Sequence, residues 1–174
     1  TLFQTKRKMV NELAQEPFRV GALDRSLSPR SYMNEEQAML VDWLLANAEV
    51  IPVTARGTEE FSRVQIPFTS WAITTHGAVI LTPEGKCDPE WQEHITTALQ
   101  PYRQRLLDMQ EAITELMAER GIAAWARINY EYDDMPIYLV MKHTDSTKLH
   151  ELNAIGDEVE EILGTDGFYV HRNS

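Results

Sequence analysis

Cysteine is almost absent from these 174 residues: Cys87 stands alone. One thiol can neither close an internal disulfide nor build a thiolate metal cluster, and it fits a reducing, cytoplasmic compartment. No apolar run approaches the length of a membrane span. The basic start Lys6-Arg7-Lys8 is not followed by an apolar region of signal-peptide length. A membrane is therefore not an expected partner. There is no Gly-x-Ser-x-Gly elbow, no glycine-rich phosphate loop with lysine and no cysteine pair. The five histidines are scattered without metal-ligand spacing. Basic residues are also scarce: 16 Lys and Arg stand against 27 Asp and Glu, a net charge of −11. That balance argues against a nucleic-acid backbone as the main partner.

What is present suits a folded chain. A hydrophobic share of 43% is ordinary for globular proteins. The length suits one domain, or a small core with an insert. The charge is uneven: residues 1–86 carry 9 basic and 10 acidic side chains, whereas residues 87–174 carry 7 and 17. The break supports a boundary near Cys87, and a solvated acidic surface is the plain reading of the second part.

The stretch with most chemistry is Val50 to Gly57. Val50, Ile51 and Val53 read as a buried strand. It ends in Thr54-Ala55-Arg56-Gly57, and a helical pattern runs from Thr58 to about Val64. Ligands bind at the carboxyl ends of strands in α/β proteins. Open N–H groups at a helix start, a hydroxyl and a guanidinium make an anion site there, most naturally for phosphate. The same residues also read as an ordinary turn, with Thr54 as helix cap and Arg56 paired with a neighbouring carboxylate.

Other elements follow from spacing. Met9, Val10 and Leu13 suggest a short helix stopped by Pro17. Phe18 to Leu23 and Ser31 to Met33 read as two strands around the Ser26–Pro29 turn. Asn34 with Gln37 is a capping box opening a helix whose apolar stripe is Leu40, Trp43, Leu44 and Ala48, with Trp43 in the core. Ala72-Ile73 and Ala78 to Leu81 are short strands about Gly77. Strand and helix alternate, which predicts an α/β fold with a parallel sheet of Rossmann type.

Asp88-Pro89-Glu90 starts the next helix. Its face is Ile95, Leu99, Tyr102, Leu106, Met109, Ile113 and Leu116, and Pro101 should kink or split it. Residues 123–130 and 137–143 read as strands joined by Asp133-Asp134-Met135-Pro136. Asp145 or Ser146 caps a last helix with Leu149, Leu152, Ile155, Val159 and Ile162 on one face, closed by Gly164. Phe168-Tyr169-Val170 reads as a final strand, completing an α+β layer. Asp133 and Asp134 can hold a hard cation but read better as a polar turn. Asp157, Glu158, Glu160 and Glu161 read as a solvated helix face.

Three motifs carry a resemblance. Val53-Thr54-Ala55-Arg56 resembles the second motif of the haloacid dehalogenase superfamily, a hydrophobic strand ending in Thr or Ser and often followed by Arg. Thr1-Leu2-Phe3-Gln4 resembles the tail of its first motif, Asp-x-Asp-x-Thr-Leu. Thr74-Thr75-His76-Gly77-Ala78-Val79-Ile80 resembles the Asn-Gly-Ala strand of members with a large inserted cap, with His76 where Asn is commoner. Their order and spacing fit, and the group resembled is that of sucrose-phosphatase-like and mannosyl-3-phosphoglycerate-phosphatase-like proteins.

The resemblance implies a partial Rossmann-like core with a flap hairpin over residues 1–86. Over residues 87–174 it implies an α+β cap inserted between the second and third motifs. The activity implied is that of a Mg²⁺-dependent phosphatase acting on a small phosphorylated metabolite, typically a sugar phosphate, through an aspartyl-phosphate. Thr54 is then a hydrogen-bond donor to the transferring phosphoryl group, assisted by Arg56. His76 at the same sheet edge and Arg172 after the last strand are candidate substrate contacts, and Arg30 or Tyr32 can approach from the flap. The two catalytic aspartates fall before Thr1, and the Lys motif and acidic metal-binding motif fall beyond Ser174. On this reading the chain is the middle of a larger enzyme and inactive alone, with no metal ligand of its own. Two other readings stand beside it: a non-catalytic domain that keeps the phosphate pocket, and an interaction module using the acidic helical face of residues 87–174.

Overall fold

The structure is a computed structural model that describes residues 2–164 and 166–172. Among the described residues the fold is mixed α and β, with small antiparallel sheets and five α-helices. The chain divides into two compact units, Thr1–Gln92 and Glu93–Ser174.

In the first unit, β1 (Gln4–Thr5), β2 (Arg19–Leu23) and β3 (Pro29–Met33) form an antiparallel sheet in the order β1-β3-β2. The hairpin joining β2 to β3 turns on Asp24, whose carboxylate accepts from the backbone N–H groups of Ser26 and Ser28. An aspartate so placed mimics a backbone turn and satisfies donors that the strands leave open. The register shifts between Val20 and Ala22, at Gly21. A Cβ on Gly21 would stand 2.6 Å from Phe3 Cβ and 2.7 Å from its Cγ, so only glycine lets the Phe3 side chain lie there. Between β1 and β2 runs a π-type helical turn, Lys8–Glu12, which buries Met9.

Helix α1 (Glu35–Asn47) begins as its sequence predicts. The Asn34 side chain accepts from Gln37 N, and the Gln37 side chain accepts from Asn34 N. The helix then turns a different face to the core. Ala38 and Val41 are buried with Met33 and Ile66, while Trp43 is 61% exposed and Leu40 is exposed as well. Ala38, Val41 and Leu45 are also spaced three and four apart, so α1 has two apolar stripes. The one with small residues lies against the Met33 side of the sheet.

Val53 departs further from expectation. It is 72% exposed, and it makes a single parallel bridge to Ile73 instead of a buried strand. Helix α2 (Thr58–Phe61) stops short of Val64. Val64 bridges Ala22 instead, with Leu23 N donating to Arg63 O and Gln65 N to Gly21 O. Pairing with the edge of β2 satisfies those backbone groups and ends the helix. β4 (Ala72–Thr74) and β5 (Val79–Leu81) form an antiparallel hairpin. Among the described residues, the parallel sheet expected from the sequence is present only as the Val53–Ile73 bridge.

Helix α3 (Pro89–Leu99) is capped by Asp88, which accepts from Trp91 N at 2.8 Å. Pro101 splits the helical run as expected: a 3-10 turn, Gln100–Tyr102, separates α3 from α4 (Arg103–Glu119). In the second unit β6 (Ala124–Glu131) and β7 (Met135–His143) form an antiparallel hairpin, followed by α5 (Leu149–Leu163). Met109, Ile113 and Met117 of α4 meet Leu152, Ile155 and Val159 of α5, with Ala124, Ala126, Leu139 and Met141 of the hairpin against them. Ile162, expected on the same face, is 62% exposed because the apolar neighbours of α5 end a turn earlier. Phe168 to Val170 forms no strand. It runs as irregular chain, with Phe168 against the core. The acidic side of α5 is not simply solvated either: Arg120 pairs with Glu158, and Arg172 with Asp157 and Glu160. Among the described residues no helix is long and apolar enough to cross a membrane.

The start of α5 depends on His143 at the end of β7. Its Nδ1 accepts from Asp145 N at 2.9 Å, so in the neutral ring Nε2 carries the proton and faces Glu151 Oε2 at 3.1 Å. Glu151 is pulled below the ordinary carboxylate range, first by the hydrogen bond from His143 and then by the field of Lys148, against desolvation.

Two outcomes follow from these contacts. Gly21→Ala should lower stability by about 1–3 kcal/mol through overpacking against Phe3, read by urea denaturation. A carboxyl depressed in the folded state stabilises above its unfolded pKa, and that contribution is lost as pH falls through the folded value. Glu151→Gln should therefore flatten the acid side of the stability curve, whereas an unchanged acid slope contradicts the His143–Glu151 assignment.

Candidate functional site

Two segments some twenty residues apart meet through backbone hydrogen bonds. Ile73 N donates to Pro52 O at 2.8 Å, Thr54 N to Ile73 O at 2.9 Å, Thr75 N to Arg56 O at 2.8 Å and His76 N to Thr54 O at 3.3 Å. The segments run in the same direction and end at one edge. That geometry brings together Thr54, Arg56 and His76, as the sequence suggests, and adds Thr75.

Thr54 Oγ1 accepts from Arg56 N at 3.1 Å. It closes the turn, and its own proton remains to be given to an acceptor. The helix-end contribution expected at this point is not supplied. Helix α2 has four residues and starts at Gly57 with no side-chain cap, so it is too short to present a helix terminus.

Arg56 is half-buried, with its guanidinium over the Phe3 ring, 5.0 Å from the centroid. Phe3 in turn occupies the space that Gly21 leaves. Burial lowers the Arg56 pKa from its ordinary value; the field of Glu60 raises it, and the fields of Arg63 and Arg30 lower it again. The carboxylate pairing weighed for Arg56 is met only by this field of Glu60: no salt bridge to Arg56 is formed among the described residues. Arg63 itself is bridged to Glu59. Arginine keeps its charge at any accessible pH, so a half-buried cation near two others favours a bound anion.

The second segment is strained. Thr75 is fully buried with φ 52°, His76 is exposed with φ 57°, and Gly77 follows with φ 93°. A β-branched residue in the left-handed region is a marked outlier, and such conformations persist only where neighbours hold them. Here the hydrogen bonds to Arg56 O and Thr54 O do so, and Trp91 Nε1 holds Gly77 O at 3.0 Å. Thr74, also buried, meets Thr58 through its hydroxyl at 3.4 Å.

Arg172 lies in the second unit. Its guanidinium lies 2.7 Å from Asp157 and 3.0 Å from Glu160, so its charge is already met within the second unit. Asp133 and Asp134 occupy the hairpin tip with φ 54° and 71°, a polar turn. Among the described residues no three His, Cys, Asp or Glu side chains gather as a metal-holding group.

Phe3 and Thr75 lie within two of the motifs quoted above and Arg63 within none; the contacts that place all three join distant parts of the chain, which no local pattern announces. No protein-family model matches the chain, and no curated protein matches it.

If Thr75 and His76 are strained as their dihedrals indicate, relief should differ between them. His76→Gly should cost less stability than Thr75→Gly, because glycine relieves the backbone strain at an exposed position. Thr75→Gly should lower stability, because a buried side chain goes with the strain. Equal losses in thermal denaturation contradict the strain assignment.

Proposed function

We propose that this chain carries the phosphate-binding part of a phosphatase that hydrolyses a phosphoric monoester of a small metabolite, by resemblance a sugar phosphate. The fold proposed for the parent protein is that of the haloacid dehalogenase superfamily, with a Rossmann-like core and an α+β cap. One observation carries the reading: Arg56, half-buried with its guanidinium over the Phe3 ring and with no salt bridge among the described residues, lies in one turn with Thr54, whose hydroxyl oxygen accepts from Arg56 N.

Each residue has a distinct task. Thr54 donates its hydroxyl proton to a phosphoryl oxygen while its lone pair holds Arg56 N. Arg56 supplies charge-assisted hydrogen bonds, which are stronger than neutral ones. Phosphoryl transfer spreads charge over the equatorial oxygens, so donors fixed beforehand at that position stabilise the transition state. His76 stands at the same edge and contacts the substrate beyond the phosphoryl group. The resemblance implies an attacking aspartate in the superfamily's first motif and Mg²⁺ as the cofactor.

A second reading is a non-catalytic domain that binds a phosphorylated ligand. It is favoured by the make-up of the edge, where Thr54, Arg56, Thr75 and His76 are donors and none is a carboxylate able to attack phosphorus.

The longest natural form of the protein should release inorganic phosphate from a sugar-phosphate panel in the presence of Mg²⁺. Thr54→Val should lower that rate by about 10²-fold, and Arg56→Gln by a similar factor, as losses of preorganised donors do. Turnover indifferent to both substitutions contradicts the site. Ligand binding without turnover transfers the conclusion to the second reading.

A further inference from the structure

We infer that the second unit binds a small, neutral, largely apolar molecule in a cavity between α4, α5 and β7. The cavity has a volume of about 340 Å³, within the range of small-molecule sites. Leu106, Met109 and Ile113 line it from α4, Leu139 and Met141 from β7, and Val159 from α5. The inference stands apart from the phosphate site and needs nothing from it.

The fourth side is a strap, residues 166–172. Arg105 Nη1 donates to Asp166 O at 3.1 Å, and its guanidinium lies over the Phe168 ring at 5.3 Å. Phe168 meets Tyr102 edge-on with ring centroids 5.6 Å apart. At the other end Arg172 is held by Asp157 and Glu160 of α5. Gly167 seats the strap: its φ is 83°, and any Cβ there would collide with the Tyr102 ring.

The site is partly open to solvent, and the strap across it is tied at both ends, which leaves room for a small molecule rather than for a helix or strand. At roughly 30 Å³ per non-hydrogen atom, the share a water molecule takes in the liquid, the space holds about a dozen such atoms. The one carboxylate on the lining, Glu160, already faces Arg172, so no cation is called for.

The sequence keeps the space open. Gly156 lies in the middle of α5, where glycine is among the weakest helix formers. A Cβ at that position would meet only Met141 Cε, at an ordinary 3.8 Å. A larger residue would both strengthen the helix and fill the cavity. Atoms facing an unfilled apolar space lose their dispersion partners, and a bound molecule of matching shape restores them.

The full chain, labelled with ¹³C at its methionine methyl groups, is titrated with indole as the neutral aromatic probe. The Met109 and Met141 methyl signals should shift and saturate. Gly156→Leu should raise the thermal midpoint and weaken indole by about tenfold or more, because its side chain takes the ligand's place. Gly156→Ala, a smaller change, should weaken indole about two- to threefold, and it serves alone if the leucine variant fails to fold. The inference is overturned if neither methionine signal responds up to the solubility of indole. Equal affinity in the parent and Gly156→Ala overturns it as well.

Discussion

Four backbone hydrogen bonds between residues 52–56 and 73–76 hold the candidate site together. Each contributes only about 0.5–1.5 kcal/mol net, but their geometric effect is larger. They fix two turns side by side and keep Thr75 and His76 in a conformation such residues avoid. Without that pairing Thr75 and His76 have no reason to lie beside the Thr54–Arg56 turn. A second constraint acts on Arg56 from below. Gly21 admits the Phe3 ring, and the ring carries the guanidinium, so a missing side chain on β2 sets the position of a cation far along the chain.

The second unit is organised by hydrophobic contact between α4, α5 and one hairpin. Its negative charge is not left to solvent alone. Arg120 and Arg172 lie on the acidic side of α5, and the latter ties down the segment that closes the cavity. The same helix that presents carboxylates outward leaves a gap inward at Gly156. Charge on one face and absent volume on the other are thus parts of one arrangement.

What the sequence made legible was local chemistry. The Asn34–Gln37 capping box, the Asp88 cap and the break at Pro101 each depend on residues within a turn of one another, and each is found. The two hairpins of β2–β3 and β6–β7 follow from alternation and turn residues. Thr54 and Arg56 were legible because they sit in one turn. Trp43 and Val53 were misplaced because burial is decided by neighbours far along the chain, and helix α1 offers two stripes of similar spacing. Val64 left its helix for the edge of β2, a competition that periodicity cannot foresee. Phe168 kept its apolar contact but not its strand, since burial of a side chain does not require a ladder.

The central claim is that Thr54 and Arg56 form an anion site, and the most direct measurement is an amide chemical-shift titration of the ¹⁵N-labelled chain with inorganic phosphate, matched for ionic strength with chloride. The account predicts saturable shifts concentrated at Ala55, Arg56, Gly57 and His76, lost in Arg56→Gln. Shifts that avoid these amides, or that persist unchanged in Arg56→Gln, would contradict it.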